Sequence, residues 1–220
     1  MKKLLSLLTI CALGIVMIFS LSACSEKTLP SSQDDGASNS INKNANILVV
    51  YFSVPDNRDN SYVEVNGERL GNTQYMAQVI QENTSADIFR IKPTTPYPTD
   101  HEALLKAAQN EIRTNARPKI DGTIKNFDSY DVVFVGYPNW NADMPYIMYS
   151  FFESYDFSGK TIVPFVTHGG SGFSGTERTI ADLEPNATIL EGKDISRNRI
   201  ENAEQEIIDW IDEIGLLKKN

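Results

Sequence analysis

Short continuous runs of apolar residues alternate along this chain with apolar stripes at helical spacing. The runs cover residues 47–53 (ILVVYFS), 86–91 (ADIFRI), 131–137 (DVVFVGY), 161–167 (TIVPFVT) and 187–190. Such runs are typical of strands buried on both faces of a sheet. Pro164 is disfavoured inside a central strand, but the pattern around it still predicts one.

Helical stripes separate the runs. The spacing predicts a first helix from about Thr73 to Glu82, a second carrying Leu104, Leu105, Ala108 and Ile112, a third opened by Pro145, a short fourth within 171–183, and a last from about Asn202 to Leu216. Five strands alternating with five helices predict an α/β sandwich with a parallel sheet.

The N-terminal 23 residues have the layout of a secretory signal. Lys2 and Lys3 precede an apolar run over residues 4–21, which is long enough to raise a transmembrane alternative. Residues 21–24 (LSAC) resemble the lipobox of bacterial lipoproteins, which are cleaved before the cysteine and carry lipid there, including acyl chains such as palmitate. We therefore predict a signal peptide at 1–23 and lipidation of Cys24. Two or more acyl chains would hold the protein stably on the extracytoplasmic face of the cell membrane.

A polar segment and an insertion complete the predicted domain organisation. Residues 24–46 are rich in Ser, Asn, Asp and Gly and predict a flexible tether of roughly 25 Å, or a disordered leader of no consequence. The globular domain is predicted at 47–217. Within it, 54–70 is a polar insertion, and alternation over 62–65 before Asn66-Gly67 predicts a short strand or hairpin.

Composition excludes several classes of function. The formal net charge is −9, and loss of Lys2 and Lys3 with the signal makes it about −11, which disfavours nucleic acid and direct contact with anionic lipid. Of the 2 cysteines, Cys11 leaves with the signal and Cys24 is expected to be lipidated. No disulfide, thiol redox pair or cysteine metal site can then form in the mature chain. No cluster has metal-ligand spacing, and neither a nucleophile elbow nor a P-loop is present.

Polar, aromatic or glycine-rich sequence follows three of the predicted strands, where an open parallel sheet binds its ligands. After the first strand come Ser53 and then Gly71, Asn72 and Thr73. Gly71 lets the backbone approach an anion, and Asn72 or Thr73 is expected to cap the helix, whose N-terminus would hold a phosphate with neutral donors. Ordinary capping of the helix, without any bound phosphate, would explain the same residues.

The other two strand ends offer groups for a planar ligand. Trp140 lies within residues 137–142 (YPNWNA). Its ring is expected either to stack on a planar ligand or to pack against the helix that follows it. Residues 167–173 (THGGSGF) offer glycine N–H groups to a heterocycle, or form a flexible turn. His168 is a proton donor near a bound ring or a solvent-facing loop residue. His101 is expected to be a capping residue at the surface.

These segments together resemble flavodoxins, in particular bacterial flavodoxin-like proteins, over about residues 46–216. The resemblance implies a five-stranded sheet in the order 2-1-3-4-5 that binds FMN at the strand ends. The chain also departs from the usual pattern of that family at two places. Residues 54–70 interrupt the phosphate loop, and Asn141 and Ala142 stand where many relatives have a second aromatic residue and a glycine. The FMN ligands it implies are Ser53, Gly71, Asn72 and Thr73 at the phosphate, Pro138, Asn139, Trp140 and Asn141 beside the isoalloxazine, and Thr167, His168, Gly169 and Gly170 at its other edge.

Three functions are compatible with this pattern. The first is a membrane-tethered, extracytoplasmic FMN electron carrier or reductase, with a redox protein or a quinone at the membrane surface as partner. Neutral phosphate donors and an acidic surface should then lower the flavin potential, and His168 is the proton donor if a substrate is reduced directly. The second is an NAD(P)H-dependent quinone reductase on the same fold, although no adenylate-binding fingerprint is visible. The third is a flavin-free surface lipoprotein that binds a ligand or a protein.

Overall fold

The computed structural model describes residues 45–218, so the predicted signal, the lipidated Cys24 and nearly all of the tether lie outside the described residues. Among residues 45–218, no helix is long and apolar enough to cross a bilayer. The strands are β1 (Ile47–Phe52), β2 (Tyr62–Val65), β3 (Glu68–Gly71), β4 (Asp87–Pro93), β5 (Ile120–Asp121), β6 (Val132–Pro138), β7 (Thr161–His168), β8 (Thr188–Ile189) and β9 (Lys193–Ser196). The helices are α1 (Asn72–Thr84), α2 (His101–Thr114), α3 (Tyr146–Phe152), α4 (Thr176–Leu183) and α5 (Glu204–Glu213).

The main sheet has the order β5-β4-β1-β6-β7, and both β8 and β9 pair with the outer side of β7. All of these pairings are parallel except that of β5 with β4. Taking β8 and β9 together as a fifth strand, the order is 2-1-3-4-5, which confirms the predicted α/β fold. The two-residue β5 is an antiparallel addition that the apolar pattern did not predict.

Alternate residues of β1 supply two separate cores, because side chains of a strand point to opposite faces of its sheet. Val49 packs with residues of α1 and α5 on one face. Val50 and Phe52 pack with residues of α3 and α4 on the other. The sheet is therefore covered on both faces, as its continuous apolar runs predict.

Pro164 explains why the fifth strand is divided. Ile162, two residues before it in β7, accepts the N–H of Leu190 through its carbonyl at 3.0 Å. Because backbone groups of alternate residues in a strand point to the same side, those of Pro164 also face the fifth strand. There it has no N–H to donate, and pairing resumes only at Phe165 with Lys193. Strand β9 lies beyond this gap and was missed, because the prediction ended the strand at residue 190.

Several predicted elements need smaller corrections. The hairpin within 54–70 is confirmed as β2 and β3, turned by Asn66 at φ 52° and Gly67 at φ 82°. Helix α5 begins two residues later than predicted, after a 3-10 turn at Ile200–Asn202, and ends three residues earlier, at Glu213. Helix α1 begins one residue earlier than predicted and runs two residues further, to Thr84.

Candidate functional site

A cleft of about 620 Å³ lies at the carboxyl ends of β1, β6 and β7. Eleven of the twelve predicted FMN ligands line it, and Gly71 does not. Sequence reasoning missed a second group that also lines it, made of the insertion, α2 and the loop after β9. Its members are Val54, Asp56, Arg58, Asn60, Ser61, His101, Leu104, Leu105, Ala108 and Arg197.

The start of α1 forms one end of the cleft. The helix has Gly71 as its N-cap and no side-chain capping bond, so the prediction that Asn72 or Thr73 caps it is wrong. Both lie inside the first turn instead, and Thr73 Oγ1 shares a buried hydrogen bond of 2.7 Å with Thr167 Oγ1. The uncapped turn thus keeps N–H groups and the positive end of its dipole directed at the cleft.

Gly71 contributes from behind this end of the cleft. A Cβ built on Gly71 would lie 2.3 Å from Ser53 Oγ, a distance that no side chain tolerates. The absence of a side chain therefore lets Ser53 pack against the helix start, where it is buried. Gly71 sets the position of Ser53 and does not itself line the cleft.

Two buried polar atoms at the cleft have no hydrogen-bond partner. Asn72 donates from Nδ2 to the carbonyl of Asn60 at 2.8 Å, while its Oδ1 accepts nothing. The Nε of Arg197 is also buried and unpaired. Buried polar atoms are almost always satisfied in folded proteins by protein groups, ordered water or a ligand, so both atoms are available to a polar ligand in the cleft.

The insertion brings a paired carboxylate to the cleft. Asp56 has a side chain only 3% exposed; its Oδ1 accepts the backbone N–H of Arg58 at 2.9 Å, and both oxygens accept from Arg58 Nε. Burial alone would raise the pKa of Asp56, but the hydrogen bonds from Arg58 and His101 outweigh it and hold that pKa below its usual range. The carboxylate therefore stays ionised and orients both of its partners.

His101 is one of these partners, which corrects the expectation of a purely capping residue at the surface. The cap of α2 is Asp100, whose Oδ1 accepts the N–H of Ala103 at 2.9 Å. The His101 ring lies 2.9 Å from Asp56 through Nδ1 and is 25% exposed. Because the ionised Asp56 can only accept, Nδ1 carries the proton, and the ring is fixed at the edge of the cleft.

Trp140 forms an aromatic wall. Its ring meets Phe52 and Tyr97 edge to face, with centroids 5.4 and 5.3 Å apart. A tight turn holds the backbone on the other side, since Trp140 and Asp143 exchange two hydrogen bonds of 2.9 and 3.1 Å. Trp140 thus packs against Phe52 and Tyr97, and part of its surface lines the cleft.

The two central residues of that turn have left-handed backbone angles, Asn141 at φ 54° and Ala142 at φ 63°. Asparagine tolerates this region, whereas alanine adopts it at a cost of about 1–2 kcal/mol. The departure noted in the sequence, alanine in place of glycine, is therefore a strained position beside the aromatic wall.

Both ring nitrogens of His168 are occupied. Gly170 donates its N–H to Nδ1 at 2.8 Å, which leaves the ring proton on Nε2, from where it is donated to Asp194 at 2.9 Å. This geometry favours a positioning role, in which His168 fixes the Gly169-Gly170 loop. Its role as a proton donor stays a prediction that these contacts do not favour.

Arg197 lies on the far side of the same loop. Its backbone N–H donates to the carbonyl of His168 at 2.8 Å, and a Cβ on Gly169 would meet its guanidinium carbon at 3.3 Å. The neighbouring Asn198 accepts a hydrogen bond of 3.0 Å from Asn60 of the insertion. Arg197 thus brings a positive charge to a cleft for which the sequence predicted only neutral donors, whereas the charge of Arg58 is paired with that of Asp56.

The residues present fit FMN. The uncapped helix start with Ser53 and Thr73 suits a phosphate, and Trp140 opposite the Gly169-Gly170 loop suits a planar ring. The volume lies within the usual range for cofactor sites. In the part of the chain that the structure describes, no group of three or more His, Cys, Asp or Glu residues could hold a metal ion.

Comparison with known proteins identifies the family and the fold. The model of the family described as Flavodoxin matches residues 62–214. A candidate flavoprotein from Bacteroides eggerthii is 30% identical, with a TM-score of 0.63, and the match covers 78% of this chain and 98% of that one. A flavoprotein from Lactobacillus acidophilus, solved in complex with FMN, is 15% identical, with a TM-score of 0.53 over 72% of this chain and 97% of that one, and shares the fold. No curated protein matches the chain.

Proposed function

The chain belongs to the flavodoxin family, and from that premise we propose that it binds FMN in this cleft and works as a membrane-tethered, extracytoplasmic electron carrier or reductase. The observation that carries the proposal is the pair of unpartnered buried atoms, Asn72 Oδ1 and Arg197 Nε. They lie in a cleft with an uncapped helix start and an aromatic wall. A planar ligand that carries both an anionic group and hydroxyl donors, as FMN does, would satisfy all three features, since Asn72 Oδ1 needs a donor and Arg197 Nε needs an acceptor.

The phosphate would be held at the start of α1. Ser53 and Thr73 supply hydroxyl donors, and the first-turn N–H groups with the helix dipole supply positive potential. Thr73 is already fixed by its 2.7 Å bond to Thr167. The donors are therefore preorganised, which lowers the entropic cost of binding.

The ring would lie between Trp140 and the Gly169-Gly170 loop. FMN, once bound, supplies the redox chemistry. The chain's own part is to hold the ring rigidly, and the contacts of Trp140 with Phe52 and Tyr97 and of His168 with Gly170 favour this.

Two matched substitutions test the two ends of the site. We expect Thr73→Ala to weaken FMN binding roughly ten- to a hundredfold, since a hydrogen bond to a charged group contributes roughly 1.5–3 kcal/mol, and to leave riboflavin binding unaffected, because riboflavin has no phosphate. Trp140→Ala should weaken the binding of both flavins roughly five- to a hundredfold, since one stacking contact contributes roughly 1–3 kcal/mol. Flavin fluorescence quenching gives both affinities.

Thr84→Ala is the control for Thr73→Ala, because Thr84 lies at the other end of α1 and bonds only to the carbonyl of Ile80 at 2.7 Å. It should change neither affinity. Equal losses for FMN and riboflavin in Thr73→Ala would contradict the phosphate assignment, and unchanged binding in Trp140→Ala would contradict the ring assignment.

The membrane attachment is proposed from the sequence pattern of residues 1–24. The mature chain would carry lipid on Cys24 and meet a redox protein or a quinone at the membrane surface. Expression of the full chain with a clickable palmitate analogue should label the wild type and leave Cys24→Ser unlabelled. A wild type that takes up no label, or a Cys24→Ser variant that is labelled equally, would contradict this proposal.

A further inference from the structure

We propose that Arg197 places a positive charge at the flavin edge bordered by Gly169 and Gly170, and that it selectively stabilises the reduced, anionic flavin. The proposal rests on the proposed function, since it requires FMN in the cleft. Arg197 would then raise the reduction potential of the flavin. From the sequence, neutral phosphate donors and an acidic surface were expected to lower it.

The position of the guanidinium is the first observation. A Cβ built on Gly169 would lie 3.3 Å from Cζ, 3.5 Å from Nη2 and 3.6 Å from Nε of Arg197. The whole group therefore lies against the Gly169 backbone, where a side chain would leave little room for it. Its main chain is tied to the end of β7 by the 2.8 Å bond to the carbonyl of His168.

The second observation is that this cation forms no ion pair. Among residues 45–218, no carboxylate lies within ion-pair distance of Arg197, and its buried Nε has no acceptor. The nearby Asp194 is 2.9 Å from His168 Nε2. Arg58 in the same cleft differs, because its guanidinium is 2.6 Å from Asp56. Arg197 is thus free to attract an anion that the ligand supplies.

Reduction creates such an anion. Oxidised flavin takes up two electrons and one proton from an external reductant, and the product carries one negative charge on the pyrimidine part of its ring. With the polar pyrimidine part of the ring facing the Gly169-Gly170 loop, Arg197 would attract the reduced form more than the neutral oxidised ring. Surface carboxylates beyond a Debye length of about 10 Å at 0.1 M salt are largely screened. The local charge of Arg197 therefore outweighs that of such distant carboxylates.

The test measures potentials and affinities of the FMN-loaded protein. Arg197→Gln removes the charge, Arg197→Lys retains it, and Arg199→Gln is the control, since Arg199 lies outside the cleft and pairs with Glu206 at 3.1 Å. We expect Arg197→Gln to weaken binding of reduced relative to oxidised FMN by ten- to a hundredfold. For a two-electron couple this lowers the midpoint by about 30–60 mV, read by equilibration with redox dyes during reduction with dithionite.

The lysine variant should keep most of the wild-type potential, and Arg199→Gln should leave it unchanged. Riboflavin should show the same loss as FMN in Arg197→Gln, because it has the same ring. An unchanged potential with weaker binding of FMN but not of riboflavin would overturn the proposal and make Arg197 a phosphate ligand. An unchanged potential and unchanged affinities would also overturn it. A wild type that binds no flavin would instead refute the proposed function itself.

Discussion

Replacing Ala142 with glycine is expected to stabilise the protein. Ala142 lies at φ 63° in the turn after Trp140, and its side chain is exposed. Glycine removes a left-handed strain of about 1–2 kcal/mol. It also adds conformational entropy to the unfolded chain, which costs about 0.4–1 kcal/mol. Because no packing is lost, the net gain should be about 0.5–1 kcal/mol.

Ala181→Gly is the matched control. Ala181 is also exposed, but it lies in α4 with right-handed helical geometry. The same substitution there relieves no strain and should destabilise the protein by about 0.5–1 kcal/mol.

Urea denaturation of the two flavin-free variants and the wild type measures the difference. With a slope of about 2 kcal/mol/M, the midpoint should rise by about 0.3–0.5 M in Ala142→Gly and fall by a similar amount in Ala181→Gly. A fall of equal size in both variants would refute the reasoning, because it would show that the turn stores no strain at Ala142.

Further predictions concern packing and pH. Gly71→Ala should weaken FMN binding at least tenfold, measured by fluorescence titration, because its Cβ would displace Ser53, whose Oγ lies 2.3 Å away; near-native affinity would contradict the role given to Gly71. Gly136→Ala should destabilise the fold by about 1–3 kcal/mol in urea, since its Cβ would lie 2.0 Å from the Phe165 ring; a loss below 0.5 kcal/mol would be too small for that clash. Burial, then Asp156, raises the pKa of Glu184 from 4.5 to about 7, so the folded state holds this proton more tightly and stability falls as pH rises between those values. Glu184→Gln should therefore stabilise the protein by about 1 kcal/mol at pH 8, after allowance for its partial exposure, and little at pH 4; equal effects at both pH values would contradict the raised pKa.

The apolar pattern predicted the sheet because each main strand is buried on both faces. Continuous runs such as residues 131–137 identify such strands without knowledge of their partners. The divided fifth strand was predicted only in part, because β9 carries a single buried residue, Ile195. That burial follows from pairing with β7, which one short polar segment does not reveal.

The candidate site was predicted where strand ends carry recognisable motifs, and missed where it depends on how a loop folds. Asp56 and Arg58 lie in a segment without periodicity, so nothing in the pattern placed their side chains at the cleft. The helix start at Asp100 was recognisable, but the direction of the His101 ring depends on Asp56. Arg197 follows the part of the fifth strand that the pattern had missed.

The visible absorption spectrum of purified residues 25–220, taken before and after addition of FMN and desalting, tests the central claim most directly. We predict that flavin is retained after desalting and that its fluorescence is quenched, as expected for a ring held beside Trp140 in the cleft. If no flavin is retained even after FMN is supplied in excess, the electron-transfer function is contradicted, and the chain is a flavin-free binding module with this fold.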